Sequence, residues 1–330
     1  MSQFDGTYGS ETVFREAQQY SQFIITNLHD GLLPDQFTRD VGDFGTGDTL
    51  NIKTLGSVTL QDVTENVPMA FNPISTGSVT LTVDDYIGNA WYITDEMRRD
   101  GAQVEALSAG QAMESTRALQ ERFETLFLAE AGTGSQTAAN LNLVNGRPHR
   151  WVGSAASNTH VMTMEDIVAA KFAFDKAGVP QNGRIMIVDP VVEATLNSLS
   201  NIVNVSNNPM FEGIVNEGFA QNHKFVKNIF GFDIWTSNYL PVLTATEAID
   251  ASGYGLTSET AAVGDVVNTA MCIADDNCRP IMRAWRQTPS TEGWRDPEHR
   301  RDAFQTSTKL GFGAQRIDTL LNIVTSASNY

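Results

Sequence analysis

Residues 48–94 restrict this chain more than any other stretch of it. Asp48-Thr49-Leu50-Asn51-Ile52-Lys53 alternates polar and apolar side chains, and Ser78-Val79-Thr80-Leu81-Thr82-Val83 does the same. A period of two predicts two strands, each with one apolar face. The residues between them carry strand-like pieces at Val58, Leu60 and Val63, prolines at Pro68 and Pro73, and no helical period. Such an excursion is too long for a tight hairpin turn. Loops of this length in compact proteins are functional or are held by something outside the chain. Two arrangements satisfy the pattern. One is a long β-arm resting on a partner, which would place Val63, Val67, Met69, Phe71 and Ile74 at a contact between molecules. The other is two ordinary strands of a sheet with an irregular insert.

The flanking segments have different periods. Ser10 is a candidate N-cap, followed by Val13, Ala17, Tyr20, Ile24 and Leu28 on one helical face, with Gly31 and Pro34 closing the segment. This helix could dock on its own core or lie as an arm on a neighbour. A proline-free run from about Glu96 to Ala131 predicts a long helix, with Val104, Leu107, Ala112, Met113, Leu119, Phe123, Leu126 and Phe127 as its apolar stripe. Gly101 and Gly110 weaken its first half, and Gly132-Thr133-Gly134-Ser135 ends it. Farther on, Thr163-Met164-Glu165-Asp166 resembles a capping box before Ile167, Ala170 and Phe174. Arg184–Val188 predicts a buried strand, Asp189-Pro190 a new helix carrying Val192, Leu196 and Leu199, and Ile229–Trp235 another strand. Asn201–His223, rich in Asn and Gly, predicts irregular structure. The last third predicts sheet at Ala270–Ala274, Ile281–Trp285 and Phe304–Val324.

Composition narrows the functions. The 39 acidic residues against 22 basic ones give a net charge of −17, the opposite of what a phosphate-gripping surface needs. No apolar run reaches the ~18 residues of a membrane span, and Met1–Gly6 lacks the basic and apolar regions of a secretory leader. Cys272 and Cys278, the only cysteines, suit a reducing compartment, with Cys272 a small buried side chain on a strand.

Catalytic constellations are missing too. There is no phosphate-binding loop of the Walker type and no nucleophile elbow. Gly45-Thr46-Gly47 and Gly311-Phe312-Gly313 lack the strand-to-helix setting of a nucleotide site. The five histidines are scattered, and Asp84-Asp85 and Asp275-Asp276-Asn277 read as turns, so no metal or cofactor site is predicted. Arg279, Arg283, Arg286, Arg295, Arg300 and Arg301 interleave with Glu292, Asp296, Glu298 and Asp302. The mixed signs suit either a solvated face or ion pairs across a subunit boundary, where Arg is enriched.

Taken in order, these elements resemble the HK97-fold major capsid proteins of tailed bacteriophages. The local echoes are Gly231-Phe232-Asp233-Ile234-Trp235-Thr236-Ser237-Asn238-Tyr239-Leu240-Pro241, Arg184–Pro190, and Gly47-Asp48-Thr49-Leu50-Asn51-Ile52. The resemblance implies an α+β chain with an N-terminal arm (1–47), an E-loop (48–94), a spine helix opening the peripheral domain (95–159), an axial A-domain (160–270) and returning peripheral strands (271–330). It implies no enzyme but a virion subunit that assembles with itself into hexamers and pentamers around double-stranded DNA, touched weakly and without sequence preference. Assembly in the bacterial host cytoplasm with a scaffolding protein and a portal, and a possible cement protein, would follow. Asn207, Asn208 and Phe211 would lie near the capsomer axis. Some members weld the shell through a Lys near the E-loop tip. Gly56–Trp91 has no lysine, so cohesion here would be non-covalent. The leader that some members lose would be replaced by a separate scaffold or already removed. An encapsulin-type compartment around a protein cargo shares the fold, and a soluble α/β enzyme would instead need a deep pocket with perturbed titrating groups.

Overall fold

The computed structural model describes residues 33, 37–42, 47, 49–56, 58, 60–66, 68–69, 71, 73–100, 104–132, 143–144, 147–153, 159–198, 228–249, 256 and 258–328. The expected helix at 10–28 and the Asn-rich segment 201–223 lie outside these residues. In chain order the strands and helices are β1 (Arg39–Asp40), β2 (Thr49–Leu55), β3 (Thr76–Thr82), β4 (Asp85–Thr94), α1 (Asp95–Asp100), α2 (Val104–Gly132), β5 (Leu143–Val144), β6 (Arg147–Pro148), β7 (Arg150–Val152), α3 (Met164–Lys176), β8 (Arg184–Val188), α4 (Pro190–Ser198), β9 (Asn228–Ile229), β10 (Phe232–Thr236), β11 (Glu247–Ile249), β12 (Glu259–Ala261), β13 (Val266–Cys272), β14 (Ile281–Asp296), β15 (Arg301–Ala314) and β16 (Leu320–Thr325), with a short 3-10 turn at Ile317–Thr319.

Two sheets organise the chain. The larger has the order β7-β16-β13-β8-β10-β9 and mixes parallel with antiparallel neighbours. Its central strand β8, Arg-Ile-Met-Ile-Val, is buried throughout because both faces are covered. Met186 and Val188 face a core with Phe174 of α3 and Leu196 of α4. Ile185 and Ile187 face the opposite core with Phe127, Leu128 and Ala131 of α2. The alternation of one strand thus places three helices on two sides.

The helix starts follow local chemistry. Thr163 donates from its backbone N–H and its hydroxyl to Asp166 Oδ2 at 2.7 and 2.9 Å, the expected box with Asp in place of Glu. Asp189 accepts the N–H of Val191 at 3.0 Å, with Pro190 as the first helical residue of α4. Arg184 then ties the strand to the end of α3. It donates to Asp175 at 2.7 Å and to the carbonyls of Val179 and Pro180 at 2.7 and 2.9 Å.

Two sequence expectations change. Ile229–Trp235, read as one strand, is a hairpin: Phe230 and Gly231 have φ of 50° and 91°, and β9 and β10 pair antiparallel across them. Met113, placed in the apolar stripe of α2, is 76% exposed. The buried line of α2 instead advances from Ser115 through half-buried Leu119 and Phe123 to Glu124, Phe127, Leu128 and Ala131. Met113 stands roughly 200° of helical rotation from Ser115, at about 100° per residue. The expected helix 96–131 corresponds to α1 and α2, residues 101–103 lying outside those described.

The C-terminus of α2 is well satisfied. Arg150 donates to the Gly132 carbonyl at 2.6 Å and to Glu247 at 2.7 Å, and Asn322 Nδ2 reaches the carbonyls of Ala131 and Gly132 at 3.3 Å. These last carbonyls have no partner within the helix, so buried donors must supply one.

Candidate assembly surfaces

The smaller sheet, β1-β14-β15-β4, carries the segment that dominated the sequence. β2 and β3 pair antiparallel from Thr49↔Thr82 to Leu55↔Thr76, and Gly56 N–H donates to the Ser75 carbonyl at 2.8 Å. They form a ribbon of their own rather than strands of a larger sheet. Residues 85–94 leave the ribbon as β4 and pair with β15.

Among the described residues, the ribbon is anchored at its base. Leu81 and Val83 are buried with Met282 and Ala284 of β14, and Leu50, Ile52, Val79 and Val41 pack around them. The base lies so close to β15 that a Cβ on Gly311 would overlap the Thr82 carbonyl oxygen and stand 2.8 Å from Val83 Cα. The Gly311-Phe312-Gly313 run thus provides a flat landing for the ribbon, a packing role that the sequence does not signal.

Beyond the base the side chains face solvent. Phe71 is 98% exposed, Leu60 90%, Val58 87% and Ile74 82%, and Val63 and Met69 are exposed with them. Val67 lies outside the described residues, as do Asn207, Asn208 and Phe211. So many large apolar side chains exposed within one segment are unusual on a chain that works alone.

The six arginines divide into two groups at opposite ends of β14. Arg283 and Arg295 stand roughly 40 Å apart along the strand, at ~3.3 Å per residue. At the near end Arg279 pairs with Asp276 at 2.6 Å, Arg283 pairs with Asp40 at 3.4 Å and lies over the Phe123 ring, and Arg286 donates to the Gly47 carbonyl. At the far end Arg295 grips Asp95 through two bonds of 2.6 and 2.7 Å and Asp302 through one of 2.9 Å. Arg98 also reaches Asp302 at 2.7 Å. Arg301 pairs with Asp296 at 3.0 Å and stacks over Tyr92 at 4.8 Å. Arg300 takes φ of 50° in the connecting turn, and its carbonyl accepts the Asp95 N–H at 3.1 Å. Hydrogen bonding from Arg295 holds the carboxyls of Asp95 and Asp302 below the usual range. These pairs stitch β4 and α1 to the β14–β15 hairpin, and being exposed they contribute modestly.

A third surface is a cleft of about 740 Å³ between α2 and the β14–β15 hairpin, lined by Leu33, Leu119, Phe123, Trp285, Pro289 and Leu310. Phe123 stacks on Trp285 at 5.6 Å and meets Phe312 edge-on at 4.9 Å. At its wall Glu124, buried in α2, accepts the Leu33 N–H at 2.9 Å and the Ser237 hydroxyl at 2.5 Å. Glu124 is not among the candidate residues that the sequence offers. Its signal was a carboxylate inside the apolar run Phe123–Leu128.

The run Ser237-Asn238-Tyr239-Leu240-Pro241 acquires a physical role here. Ser237 binds Glu124, Leu240 is buried against α2, and Pro241 packs on Gly132, where a Cβ would overlap its ring. The Pro241 carbonyl accepts the N–H of Val267 at 3.0 Å. The motif is a strap that fastens the larger sheet to α2.

Asp84, Asp85 and Glu130 line a cleft of about 400 Å³ beside α2, where burial raises the carboxyls of Asp85 and Glu130. His160 Nδ1 lies 2.6 Å from Asp265 and its Nε2 3.9 Å from Glu259, joining the β11–β12 hairpin to the end of β16 through the bond from Ser326 N–H to the His160 carbonyl. Cys272 is wholly buried on β13 and Asp275–Asn277 form a turn. Among the described residues no group of three or more His, Cys, Asp or Glu side chains could hold a metal ion, and no helix is long and apolar enough to cross a membrane.

A sequence profile of the phage capsid protein family matches residues 76–320. No curated protein sequence matches the chain. Among solved structures, the mature capsid of bacteriophage PhiM1 superposes with a TM-score of 0.69 at 14% identity, covering 98% of this chain and 96% of that one. The capsid of cyanophage P-SCSP1u gives 0.68 at 13% identity, over 96% and 94%. Mycobacterium phage Che8 gives 0.63 at 16% identity, over 95% and 98%. A profile match over most of the sequence, joined to a fold shared end to end with phage shell subunits, places the chain in the phage capsid protein family, as a major capsid protein with the HK97-like fold.

Proposed function

We propose that copies of this chain associate into hexamers and pentamers, which close into an icosahedral shell around phage double-stranded DNA. The observation that carries this is the bare apolar tip of the β2–β3 ribbon. Burying a side chain the size of Phe, Leu or Ile contributes ~1.5–3 kcal/mol. An isolated molecule forgoes that gain at every tip position, whereas a neighbouring copy recovers it. In this reading residues 48–94 are the E-loop, 1–47 the arm, 95–159 the spine and the opening of the peripheral domain, 160–270 the A-domain and 271–330 the returning strands. Val63, Val67, Met69, Phe71 and Ile74 touch the adjacent subunit, and Asn207, Asn208 and Phe211 lie toward the capsomer axis. The arginine groups border neighbouring capsomers, exchanging part of their pairing within the chain for partner carboxylates. A scaffolding protein, a portal and a cement protein complete the particle, which assembles in the host cytoplasm. The chain carries no enzymatic step, and a charge of −17 keeps the inner wall from gripping its DNA.

The test is a double substitution, Phe71→Asp with Ile74→Asp. The variant is expected to keep the parental circular dichroism and melting temperature while failing to form capsomers or shells in negative-stain micrographs and in sedimentation. Shells at the parental yield would remove the basis of the proposal.

A further inference from the structure

We infer that Cys272 and Cys278 form a modification site, an intramolecular disulfide that closes when the chain passes from a reducing to an oxidising medium. These are the only cysteines, and both are free thiols. Cys272 is the last residue of β13, wholly buried, and its sulfur lies 3.6 Å from the Asn182 carbonyl. Cys278 is half-buried in the turn that follows. The N–H groups of Cys278 and Arg279 both donate to the Asp275 carbonyl, at 2.9 and 3.1 Å, which folds the chain back on the strand end. Cys278 thereby packs against the core cluster that contains Cys272, close enough that its thiol adds to burial in pushing the Cys272 thiol up. Two cysteines brought to one core cluster by a single turn need little backbone movement to bond.

The chemistry has a defined order. Burial pushes the Cys272 thiol up, so the more accessible Cys278 reacts first. With a small-molecule disulfide RSSR as oxidant, the Cys278 thiolate attacks one sulfur and releases RSH, leaving a mixed disulfide. Cys272 then attacks the Cys278 sulfur, its proton leaving with the second RSH. Two thiols are oxidised, one external disulfide is reduced, and two RSH are formed. The closed ring pins the turn that holds β1, since Asn277 Oδ1 accepts from Arg39 at 3.2 Å and Arg279 donates to the Thr38 carbonyl at 3.4 Å. Oxidation therefore stiffens the anchorage of the chain just ahead of the ribbon. The site lies within one subunit and does not depend on how subunits meet.

The folded full-length chain is incubated with oxidised glutathione and then digested, after denaturation with free thiols blocked, by a protease that cleaves at Asp275 and Asp276. The expected result is loss of both thiols, a mass lower by two hydrogens, and fragments that stay joined until reductant is added. Cys278→Ser abolishes the link, and Cys272→Ala leaves Cys278 as a stable glutathione adduct. The oxidised parent is expected to melt a few degrees above the reduced one. Fragments that separate without reductant, a lasting glutathione adduct on the parent, or linkage only between chains would overturn the inference. A linked chain that melts no higher would overturn the pinning of β1.

Discussion

Single buried residues show what the core tolerates and what it uses. Glu124 is a carboxylate in the apolar stripe of α2, retained because Leu33 and Ser237 both donate to it. A buried polar group with its partners in place costs little, and one stripped of them costs about 1–3 kcal/mol. His149 is the contrasting case. It is buried beside Phe174, and desolvation lowers its pKa to about 4. In the unfolded chain it titrates near 6.5, so the unfolded state takes up the proton first as pH falls. The stability owed to neutral His149 is complete above pH 6.5, declines between 6.5 and about 4, and is constant below that. The total loss is about 3 kcal/mol at ~1.4 kcal/mol per pH unit. Denaturant midpoints across pH 4–7 are expected to follow this slope, and His149→Gln is expected to flatten it. An unchanged slope would assign the acid sensitivity elsewhere. The carboxyls of Asp95 and Asp302 act in a lower window: held below the usual range, they support folding above their ordinary pKa near 3.8 and lose that support in stronger acid.

At the scale of elements, the ribbon depends on how its base meets β15. Gly311 permits an approach that any side chain blocks with backbone on the other side. Gly311→Ala must therefore shift Thr82 and Val83 and is expected to destabilise by about 1–3 kcal/mol, the usual range for overpacking. Hydrogen exchange should rise in β2 and β3 and remain unchanged in β8 and β13. Equal exchange in both sheets would mean that the ribbon base is not the weak joint. The same elements show how far local pattern reaches. The alternations at 48–53 and 78–83 predicted β2 and β3, found at Thr49–Leu55 and Thr76–Thr82. The capping box and the proline-led start placed α3 and α4. The hairpin at Phe230-Gly231 is invisible to local pattern, because a left-handed Phe has no sequence signature and the run around it is apolar enough to pass as one strand. Met113 stands off the buried line because Met on a helix signals core only when its angular position matches that of its buried neighbours.

For the whole molecule, charge and apolar surface push assembly in opposite directions. Each copy carries a net −17, so like-charge repulsion opposes association. Raising salt from 0.1 to 1 M shortens the screening length from ~10 to ~3 Å. If the apolar ribbon tip drives contact, the concentration needed for assembly should fall over this range, read by light scattering. A rising threshold would put the arginine groups in charge of the interface instead.

What the sequence by itself determined was the α+β class and the elements with a clean local signature, β2, β3, α2, α3, β8 and α4, because strand alternation, helix caps and the arm-like length of 48–94 are local properties. It also marked the ribbon tip, since apolar residues in a segment with no partner of their own are visible in one dimension. Only the tertiary structure decided the rest. It split one arginine cluster into two groups at the ends of a 16-residue strand, turned Gly311 into a landing site, and made Ser237–Pro241 a strap over α2. Each of these is a contact between residues far apart along the chain. Sequence spacing carries no information about which of them meet until the two sheets have closed around their shared helix.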